Sequence, residues 1–243
     1  MLKKARVAVF VPAYNAARHL AATIERIPRE AWDEIVSVWV IDDGSTDETA
    51  RAARVLGERF EPVRLKRFEN NQGYGNVVRE GLALCQNDDC DIAVCLHGDG
   101  QYPPEEMPRF VQAMRTDGYD ILQGSRIAGR NALAGGMPLY KYIAGRVLTG
   151  MENRVFGLHM TDYHSGYLFY SRRALAAIPF DRLSRSFDFD LEVIASARAR
   201  KLRVGELPIP TRYADEVSYL NPVGYGLRVL RVMARYIAGG YRP

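Results

Sequence analysis

The sequence of 243 residues contains 47% hydrophobic and 26% charged residues, which is typical of a folded globular protein and excludes a disordered chain or a fibre. Its 33 lysines and arginines against 29 acidic residues give a net charge of +4. This excess is too small for a nucleic-acid-binding surface, so no nucleic-acid partner is expected.

The first half of the chain alternates short β-branched runs with helical patterns, an order typical of βαβ units on a mostly parallel sheet. We predict five strands in this half, at residues 6–11, 35–42, 63–68, 92–97 and 120–124. Apolar residues recur with helical spacing in each of the four intervals between them. The expected fold class is therefore α/β, with a Rossmann-like, mostly parallel central sheet flanked by helices.

The second half shows weaker patterns. A glycine-rich stretch at residues 126–138 lacks periodicity and is predicted to be a loop, followed by a long helix at 139–156. Later elements are predicted at 166–170 (strand), 188–200 (helix), 203–209 (strand) and 224–237 (helix). Since no repeat or linker divides the chain, we expect a single domain over residues 1–243, with a C-terminal elaboration on the sheet.

Polar residues follow the ends of the predicted strands. Ligands of open parallel sheets bind beyond the carboxyl ends of the strands, so this edge is the expected site. It collects Pro12, Ala13, Tyr14 and Asn15 after the first strand, Asp42 and Asp43 at the second, His97, Asp99 and Gln101 at the fourth, and Arg126 after the fifth.

Two interpretations of the second strand end stay open. Asp43 can open a turn in which Ser45 or Thr46 caps the next helix. Asp42, however, ends a buried strand, where a carboxylate is costly unless a donor such as a nucleobase N–H or a ribose hydroxyl bonds to it. For Asp42 we therefore favour a ligand partner.

Asp99 and Gln101 are the metal candidates, because hard divalent cations take carboxylate and amide oxygens and leave positions for phosphate. An isolated Asp-Gly pair is more often a simple turn, but its place among the strand ends favours a metal here. Arg126 can offer a planar fork of donors to phosphate.

The turn at residues 71–76 precedes the third predicted helix. Its Gly73 and Gly75 permit close approach of a ligand to the backbone at a helix N-terminus. The spacing differs from the dinucleotide-binding fingerprint, and the chain contains no P-loop motif. Hydride transfer and P-loop chemistry therefore have little support.

Taken in order, these motifs resemble those of family 2 glycosyltransferases with the GT-A fold, nearest to the polyprenyl-phosphate (dolichyl-phosphate) sugar transferases. The resemblance rests on residues 11–15, 42–47, 71–75, 99–105 and 124–126, and continues through 165–167 and 206–213. It covers nearly all of the chain and implies a nucleotide-sugar-binding half at residues 1–126 and an acceptor-binding half at 127–243.

The resemblance also implies roles for the strand-end residues. The donor would be a nucleotide sugar such as GDP-mannose, UDP-glucose or UDP-N-acetylglucosamine, its nucleoside held by Pro12, Ala13, Tyr14, Asn15, Asp42 and Asp43. The Asp-x-Asp motif of the family, followed by Gln, binds Mg²⁺ or Mn²⁺ on the diphosphate. Asp99 and Gln101 match it, whereas His97 replaces the first Asp. Imidazole is neutral and softer than a carboxylate, so His97 bears on metal preference.

The chemical nature of the acceptor determines whether the reaction needs a general base. When the bond between the anomeric carbon and the phosphate breaks, a metal and Arg126 would stabilise the negative charge that develops on the nucleoside diphosphate. A lipid phosphate is already an anion, whereas a sugar hydroxyl needs a carboxylate to take its proton. Asp162, Asp188 and Asp190 are candidates, although Asp188 could equally cap the helix that starts there.

Two arginines are candidates for binding the acceptor phosphate. Arg126 is one, and Arg212 matches the region where the family holds this group. The family motif there often continues with Ser-Lys, but this chain has Ser218 and Tyr219. Lipid phosphate is therefore favoured as the acceptor without being established.

The last predicted helix is amphipathic. One face is apolar and is bordered by arginines; it can dock on the sheet or lie on an anionic membrane surface, and both alternatives stay open. Between residues 198 and 243, nine Lys and Arg residues face three acidic residues. The apolar residues are Val223, Leu227, Leu230, Ala234 and Ile237, and the arginines are Arg228, Arg231 and Arg235.

Three hypotheses follow. The leading one is an inverting, metal-dependent transfer of a hexose from a nucleotide sugar to a polyprenyl phosphate at the cytosolic face of a membrane. The second is transfer to a hydroxyl, with Asp188 or Asp190 as base. The third, suggested by His97, is a non-catalytic nucleotide-sugar sensor. The three cysteines are an odd number and include no Cys-x-x-Cys pair and no His at zinc-finger distance, so we expect buried thiols in a reducing compartment, the cytoplasm.

Overall fold

The computed structural model describes residues 4–129, 139–210 and 222–243. Within them, seven strands form one sheet in the order β3-β2-β1-β4-β6-β5-β7. Strand β6 pairs antiparallel with β4 and β5, and the other pairings are parallel, which confirms the mostly parallel sheet. The strands are β1 (Val7–Ala13), β2 (Ile35–Asp42), β3 (Val63–Arg67), β4 (Ile92–Cys95), β5 (Ile121–Ser125), β6 (Leu168–Ser171) and β7 (Val204–Pro208).

Nine α-helices connect and cover these strands in the described part of the chain. The predicted elements that can be compared agree with the observed bounds within two residues. Two short helices, α2 and α7, were not predicted, because so few residues show no helical period. The helices are α1 (Ala17–Glu25), α2 (Arg29–Trp32), α3 (Thr49–Arg59), α4 (Tyr74–Asn87), α5 (Met107–Asp117), α6 (Leu139–Phe156), α7 (Arg172–Ala177), α8 (Phe189–Ala199) and α9 (Pro222–Ile237).

The sheet lies between two layers of helices. In β1, Val9 and Val11 pack into the cluster formed with α1, α3 and α5, whereas Phe10 packs into the cluster formed with α4, α8 and α9. This alternation is the two-residue period of a strand buried on both faces. The three cysteines are free and buried, as expected from the sequence. Of the predicted loop at residues 126–138, only 126–129 lie in the described part of the chain.

Helix α9 docks by a different face from the predicted apolar stripe. Val229, Val232 and Met233 are buried against the rest of the protein. The stripe itself is exposed: Leu227 and Ile237 have 64% and 70% of their surface accessible. Docking of that stripe on the sheet, one of the two alternatives, is therefore wrong.

Candidate functional site

The ends of β1 and β2 are joined by side-chain hydrogen bonds. The Asn15 N–H donates to Ser45 Oγ at 2.9 Å, and the Thr46 N–H donates to Asn15 Oδ1 at 3.0 Å. Ser45 and Thr46 do not cap the next helix, because α3 begins at Thr49 with Glu48 as its N-cap residue. Their role is to hold the Asn15 segment against the end of β2.

Asp42 is fully buried at the end of β2. Its Oδ1 accepts the Ser45 N–H at 2.9 Å, and its Oδ2 lies 3.2 Å from Arg67 Nε in an ion pair. The protein therefore supplies a counter-charge that the sequence did not reveal. Among the described residues, the buried Oδ2 accepts no hydrogen bond, so Arg67 is its charge partner there.

Asp43 connects β2 to the turn before α4. Its two oxygens accept the N–H groups of Gln72 at 2.6 Å and Gly73 at 3.1 Å. Burial raises the pKa of Asp43, and these two bonds act against that rise. Gly44, at φ +70°, allows the loops to meet, since an added Cβ would lie 2.7 Å from the Asn70 carbonyl carbon.

Gly75 makes its close approach to protein and not to a ligand. A Cβ added there would lie 2.6 Å from the carbonyl carbon of Arg185 and the carbonyl oxygen of Ser184. The predicted role of Gly75 in direct ligand approach is therefore corrected: this glycine packs the N-terminus of α4 against the loop before α8. Gly73 is the N-cap residue of α4 and bonds to Asp43.

The His97 to Gln101 segment follows β4, which ends at Cys95 and not at His97 as predicted. Hydrogen bonding to β1 nevertheless continues, because the Gly98 N–H donates to the Pro12 carbonyl at 3.1 Å. Asp99 Oδ1 accepts the Gln101 N–H at 3.0 Å, so the segment does form the Asp-Gly turn that was the alternative to a metal site. The turn leaves Asp99 partly exposed beside the ends of β1 and β4.

The ligand atoms in this segment fit a cation that is bound by protein and substrate together better than a cation enclosed by protein side chains alone. The described residues contain no group of three His, Cys, Asp or Glu side chains that could hold a metal ion. Asp99 and Gln101 can offer oxygens and His97 can offer nitrogen. Mg²⁺ commonly binds through one or two carboxylates and takes its remaining ligands from substrate phosphates and water, so this set fits a metal that arrives with a diphosphate.

His97 is partly buried among aromatic side chains. Its Nε2 lies 3.2 Å from the Tyr74 hydroxyl, and its ring meets the Tyr102 ring edge-on at 5.0 Å between centroids. Burial lowers the pKa of His97; the charge of Asp99 opposes this shift and that of Arg126 adds to it. His97 is therefore a neutral imidazole near neutral pH.

Asp190 lies on the other side of Tyr74. The Tyr74 hydroxyl donates to Asp190 Oδ2 at 2.6 Å, while Asp190 Oδ1 is buried without a hydrogen bond from the described residues. Burial raises the pKa of Asp190 to about 7, although the Tyr74 bond acts to lower it. The sequence did not predict this contact, because Tyr74 and Asp190 are far apart in the chain and no local pattern indicates that they meet.

Asp188, two residues away, has different partners. Its Oδ1 accepts the Ser184 hydroxyl at 2.7 Å and lies 3.4 Å from Arg228 of α9. It occupies the N-cap position of α8 but makes no side-chain cap hydrogen bond. The structure therefore separates the two candidate bases: Asp188 is engaged by α9, and Asp190 faces Tyr74.

Two groups of the loop before β6 bind the Arg126 guanidinium. Its Nε lies 3.2 Å from Asp162 Oδ2, and its Nη2 donates to the His164 carbonyl at 2.9 Å. Burial raises the pKa of Asp162, but the charges of Arg126 and His164 and the hydrogen bonds from these two residues together outweigh it, so the net shift is downward. Asp162 is thus an ionised anchor for Arg126. Arg212 lies outside the described residues.

A second layer of polar residues supports this loop, and no motif in the sequence predicted it. Glu206 of β7 accepts the Thr161 N–H at 2.8 Å. His164 Nε2 lies 3.4 Å from the fully buried Glu152 of α6, and His164 Nδ1 lies 2.9 Å from the Tyr225 hydroxyl of α9. The anchor of Arg126 is therefore connected to both α6 and α9.

Helices α6 and α9 contact each other, with the rings of Phe156 and Tyr236 edge-on at 4.9 Å. Both expose apolar side chains along one face. On α6 these recur every four residues, at Leu139, Ile143, Val147 and Met151; on α9 they are Val223, Leu227, Leu230 and Ile237. Two of the three arginines predicted to border the α9 stripe bond inward instead, Arg228 to Asp188 and Arg235 to Glu192.

None of the helices in the described ranges has the length and apolar character required to pass through a bilayer.

Residues 8–178 match the model of the family described as Glycosyl transferase family 2. The chain is 26% identical over 219 residues to a UDP-N-acetylglucosamine–dolichyl-phosphate N-acetylglucosaminyltransferase of Methanococcus voltae, covering 85% of this chain and 86% of that protein. It is 28% identical over 207 residues to an undecaprenyl-phosphate mannosyltransferase of Micrococcus luteus, covering 84% and 82% of the two chains.

The fold is similar to that of glucosyl-3-phosphoglycerate synthase from Mycobacterium tuberculosis, solved with Mn²⁺, UDP and phosphoglyceric acid. The TM-score is 0.70 at 18% identity, covering 98% of this chain and 80% of that chain. At this identity the likeness concerns the fold, and it confirms the predicted GT-A fold.

Proposed function

The chain belongs to glycosyl transferase family 2, and on this basis we propose that it is an inverting, metal-dependent enzyme that transfers a hexose from a nucleotide diphosphate sugar to a polyprenyl phosphate. Family membership makes it a glycosyltransferase, so the hypothesis of a non-catalytic sensor is wrong. The related transferases act on dolichyl and undecaprenyl phosphates by name, which supports a lipid phosphate acceptor here.

The donor half, residues 1–126, would bind the nucleotide sugar at the ends of β1 and β2. Pro12, Ala13 and Tyr14 lead into the Asn15 segment, which Ser45 and Thr46 fix to β2. In our proposal, Asp42 and Asp43 border the nucleoside. GDP-mannose, UDP-glucose and UDP-N-acetylglucosamine are the donors to compare.

The metal would be Mg²⁺ or Mn²⁺, held by Asp99, Gln101 and His97. When bound, such a cation stabilises the negative charge of the departing nucleoside diphosphate. Arg126 would stabilise the same charge from the protein side. Since Asp162 and the His164 carbonyl hold two of its nitrogens, Arg126 needs little reorganisation when that charge develops.

The observation that supports the lipid acceptor is that α6 and α9, two helices in contact, each expose an apolar face. Large exposed apolar surfaces of soluble proteins often mark contacts with other proteins or with membranes. Val147 is 63% exposed, Leu227 is 64% exposed, and exposed arginines flank them at Arg146 and Arg231. In our proposal this surface lies on an anionic membrane at the cytosolic side, where the arginines meet lipid phosphates.

The membrane contact is tested by flotation with vesicles that contain anionic lipid. Replacing Val147 and Leu227 together by aspartate is expected to reduce the bound fraction at least about tenfold, because two charges would enter the apolar contact. Val55→Asp is the matched control: Val55 is also exposed, at 45%, but its helix α3 packs in the layer on the other face of the sheet from α6 and α9. Equal binding of all three proteins would contradict the membrane contact.

The reaction is tested by following radiolabelled sugar from each donor into organic-extractable lipid, with polyprenyl phosphate and Mg²⁺ or Mn²⁺. Asp99→Ala is expected to abolish transfer. If no donor labels the lipid with the wild-type protein, the proposed acceptor is wrong.

One observation favours the second candidate, transfer to a hydroxyl. The buried Asp190 has a pKa of about 7 and an oxygen without a hydrogen bond, as a general base near neutrality requires. Asp188 is less suited, because Ser184 and Arg228 occupy its Oδ1. Under this alternative, Asp190→Asn removes transfer to a hydroxyl acceptor by about a hundredfold or more while the nucleotide still binds.

A further inference from the structure

Tyr74 and Asp190 determine which nitrogen of His97 carries the proton, and this determines which nitrogen can bind a cation. The three side chains form a line across the site: Asp190 Oδ2 is 2.6 Å from the Tyr74 hydroxyl, which is 3.2 Å from His97 Nε2. The inference rests on the proposed function, because it concerns the metal side of the donor site.

The direction of the two hydrogen bonds follows from the number of protons. A tyrosine hydroxyl has one proton to donate, and the Asp190 carboxylate, the form present above its pKa of about 7, can only accept. That proton is donated to Asp190 over the shorter distance. The Tyr74 oxygen must then accept from His97, which requires a proton on Nε2.

We propose that Tyr74, oriented by Asp190, is a positioning residue that keeps the proton of His97 on Nε2 and so leaves Nδ1 as the ring nitrogen that can ligate the divalent cation. The hydrogen bond at one nitrogen of a ligating histidine fixes the tautomer and orientation of the ring. The substitution of His97 for an acidic residue is thus accompanied by two partners that prepare the imidazole as a ligand.

The tautomer is measured by long-range ¹H–¹⁵N correlation on the full-length ¹⁵N-labelled protein, without metal or donor, at about pH 8.5. The chain has four histidines, and the His97 signals are assigned by their loss in His97→Gln. The expected result is a single Nε2–H tautomer with unprotonated Nδ1. A wild-type protein with Nδ1–H, or with comparable amounts of both tautomers, would overturn the proposal.

Asp190→Leu gives the sharpest contrast. Without the carboxylate, the buried Tyr74 hydroxyl can satisfy its proton only by donating to His97 Nε2, because an unbonded buried donor is costly. The tautomer is therefore expected to reverse to Nδ1–H. Asp190→Asn keeps a carbonyl acceptor and should keep the Nε2–H form. An unchanged tautomer in Asp190→Leu would refute the role of Asp190.

Tyr102→Phe is the matched control, because Tyr102 touches the His97 ring by its edge while its hydroxyl bonds to the Gly166 N–H at 2.8 Å. This variant should leave the tautomer unchanged, whereas Tyr74→Phe should give a mixture. If Tyr102→Phe changed the tautomer as much as Tyr74→Phe, ring packing and not the hydrogen bond would set it.

The role of Nδ1 is tested with Mn²⁺ added below stoichiometry to the same labelled sample in the presence of GDP or, separately, UDP, because the residues fit a metal that arrives with a diphosphate. Paramagnetic broadening is expected at His97 Nδ1 before any nitrogen of the other three histidines. Broadening that spares His97 would refute its role as a ligand. None of these measurements requires transfer activity, so a failure of the lipid acceptor would leave them intact, and the reverse also holds.

Discussion

Replacing Asp190 by asparagine is expected to stabilise the protein, and by more at alkaline than at acidic pH. Burial raises the pKa of this carboxyl from 3.8 to about 7, so ionisation is costly in the native state. Between these two values the native state holds a proton that the unfolded chain has released. The stability of the wild-type protein therefore falls as pH rises through this window, and asparagine removes this contribution.

The size of the effect follows from the shift. The native and unfolded pKa values differ by about three units, each of about 1.4 kcal/mol, so ionised Asp190 costs roughly 4 kcal/mol at about pH 8.5. At about pH 5 the native carboxyl stays protonated and the cost is only about 1.5 kcal/mol. The difference in unfolding free energy between Asp190→Asn and wild type should thus grow by roughly 2.5 kcal/mol from pH 5 to 8.5.

Urea unfolding of both proteins at the two pH values measures this difference directly. Loss of packing or of other titrating groups affects both pH values or both proteins alike and cancels in the double comparison. Asp181→Asn, an exposed aspartate, controls for removal of a carboxyl as such. A stability difference that stays constant with pH, or that grows toward acid, would show that burial does not raise the pKa of Asp190 in the native state.

Substitutions at two further positions, Gly44 and Arg126, test the loops that shape the site, and Gly118 serves as a control for the first. Gly44→Ala should destabilise the protein by about 2 kcal/mol or more in urea unfolding, because the new Cβ would lie 2.7 Å from the Asn70 backbone. Gly118 also has positive φ, but a Cβ added there would meet no neighbouring atom. Gly118→Ala should therefore cost only about 1 kcal/mol. Arg126→Lys should lower kcat by about tenfold or more, because lysine cannot bond both Asp162 and the His164 carbonyl. Nucleotide affinity, measured by calorimetry, should change little. A change in KM alone would contradict a role of Arg126 at the reacting phosphate.

The sequence predicted those features that depend on neighbouring residues. The two-residue alternation of β1 and the helical period of α5 arise from local burial, so strand and helix bounds agreed closely with the structure. Pairing order is a long-range property: nothing within residues 166–170 indicates that β6 runs antiparallel between β4 and β5. The same limit applies to the ion pair of Asp42 with Arg67, which replaced part of an expected ligand contact.

The pair of acids at the start of α8 shows why the site needed the structure. Asp188 and Asp190 are two residues apart, and as a sequence motif they are interchangeable candidates for the same base. Their side chains diverge in the fold: Asp188 meets Arg228 of α9, and Asp190 meets Tyr74 at the start of α4. Removal of the charge at Asp188 therefore affects the docking of α9, whereas removal of the charge at Asp190 affects the hydrogen bond that reaches His97. One short acidic segment thus connects the proposed membrane helix to the proposed metal site.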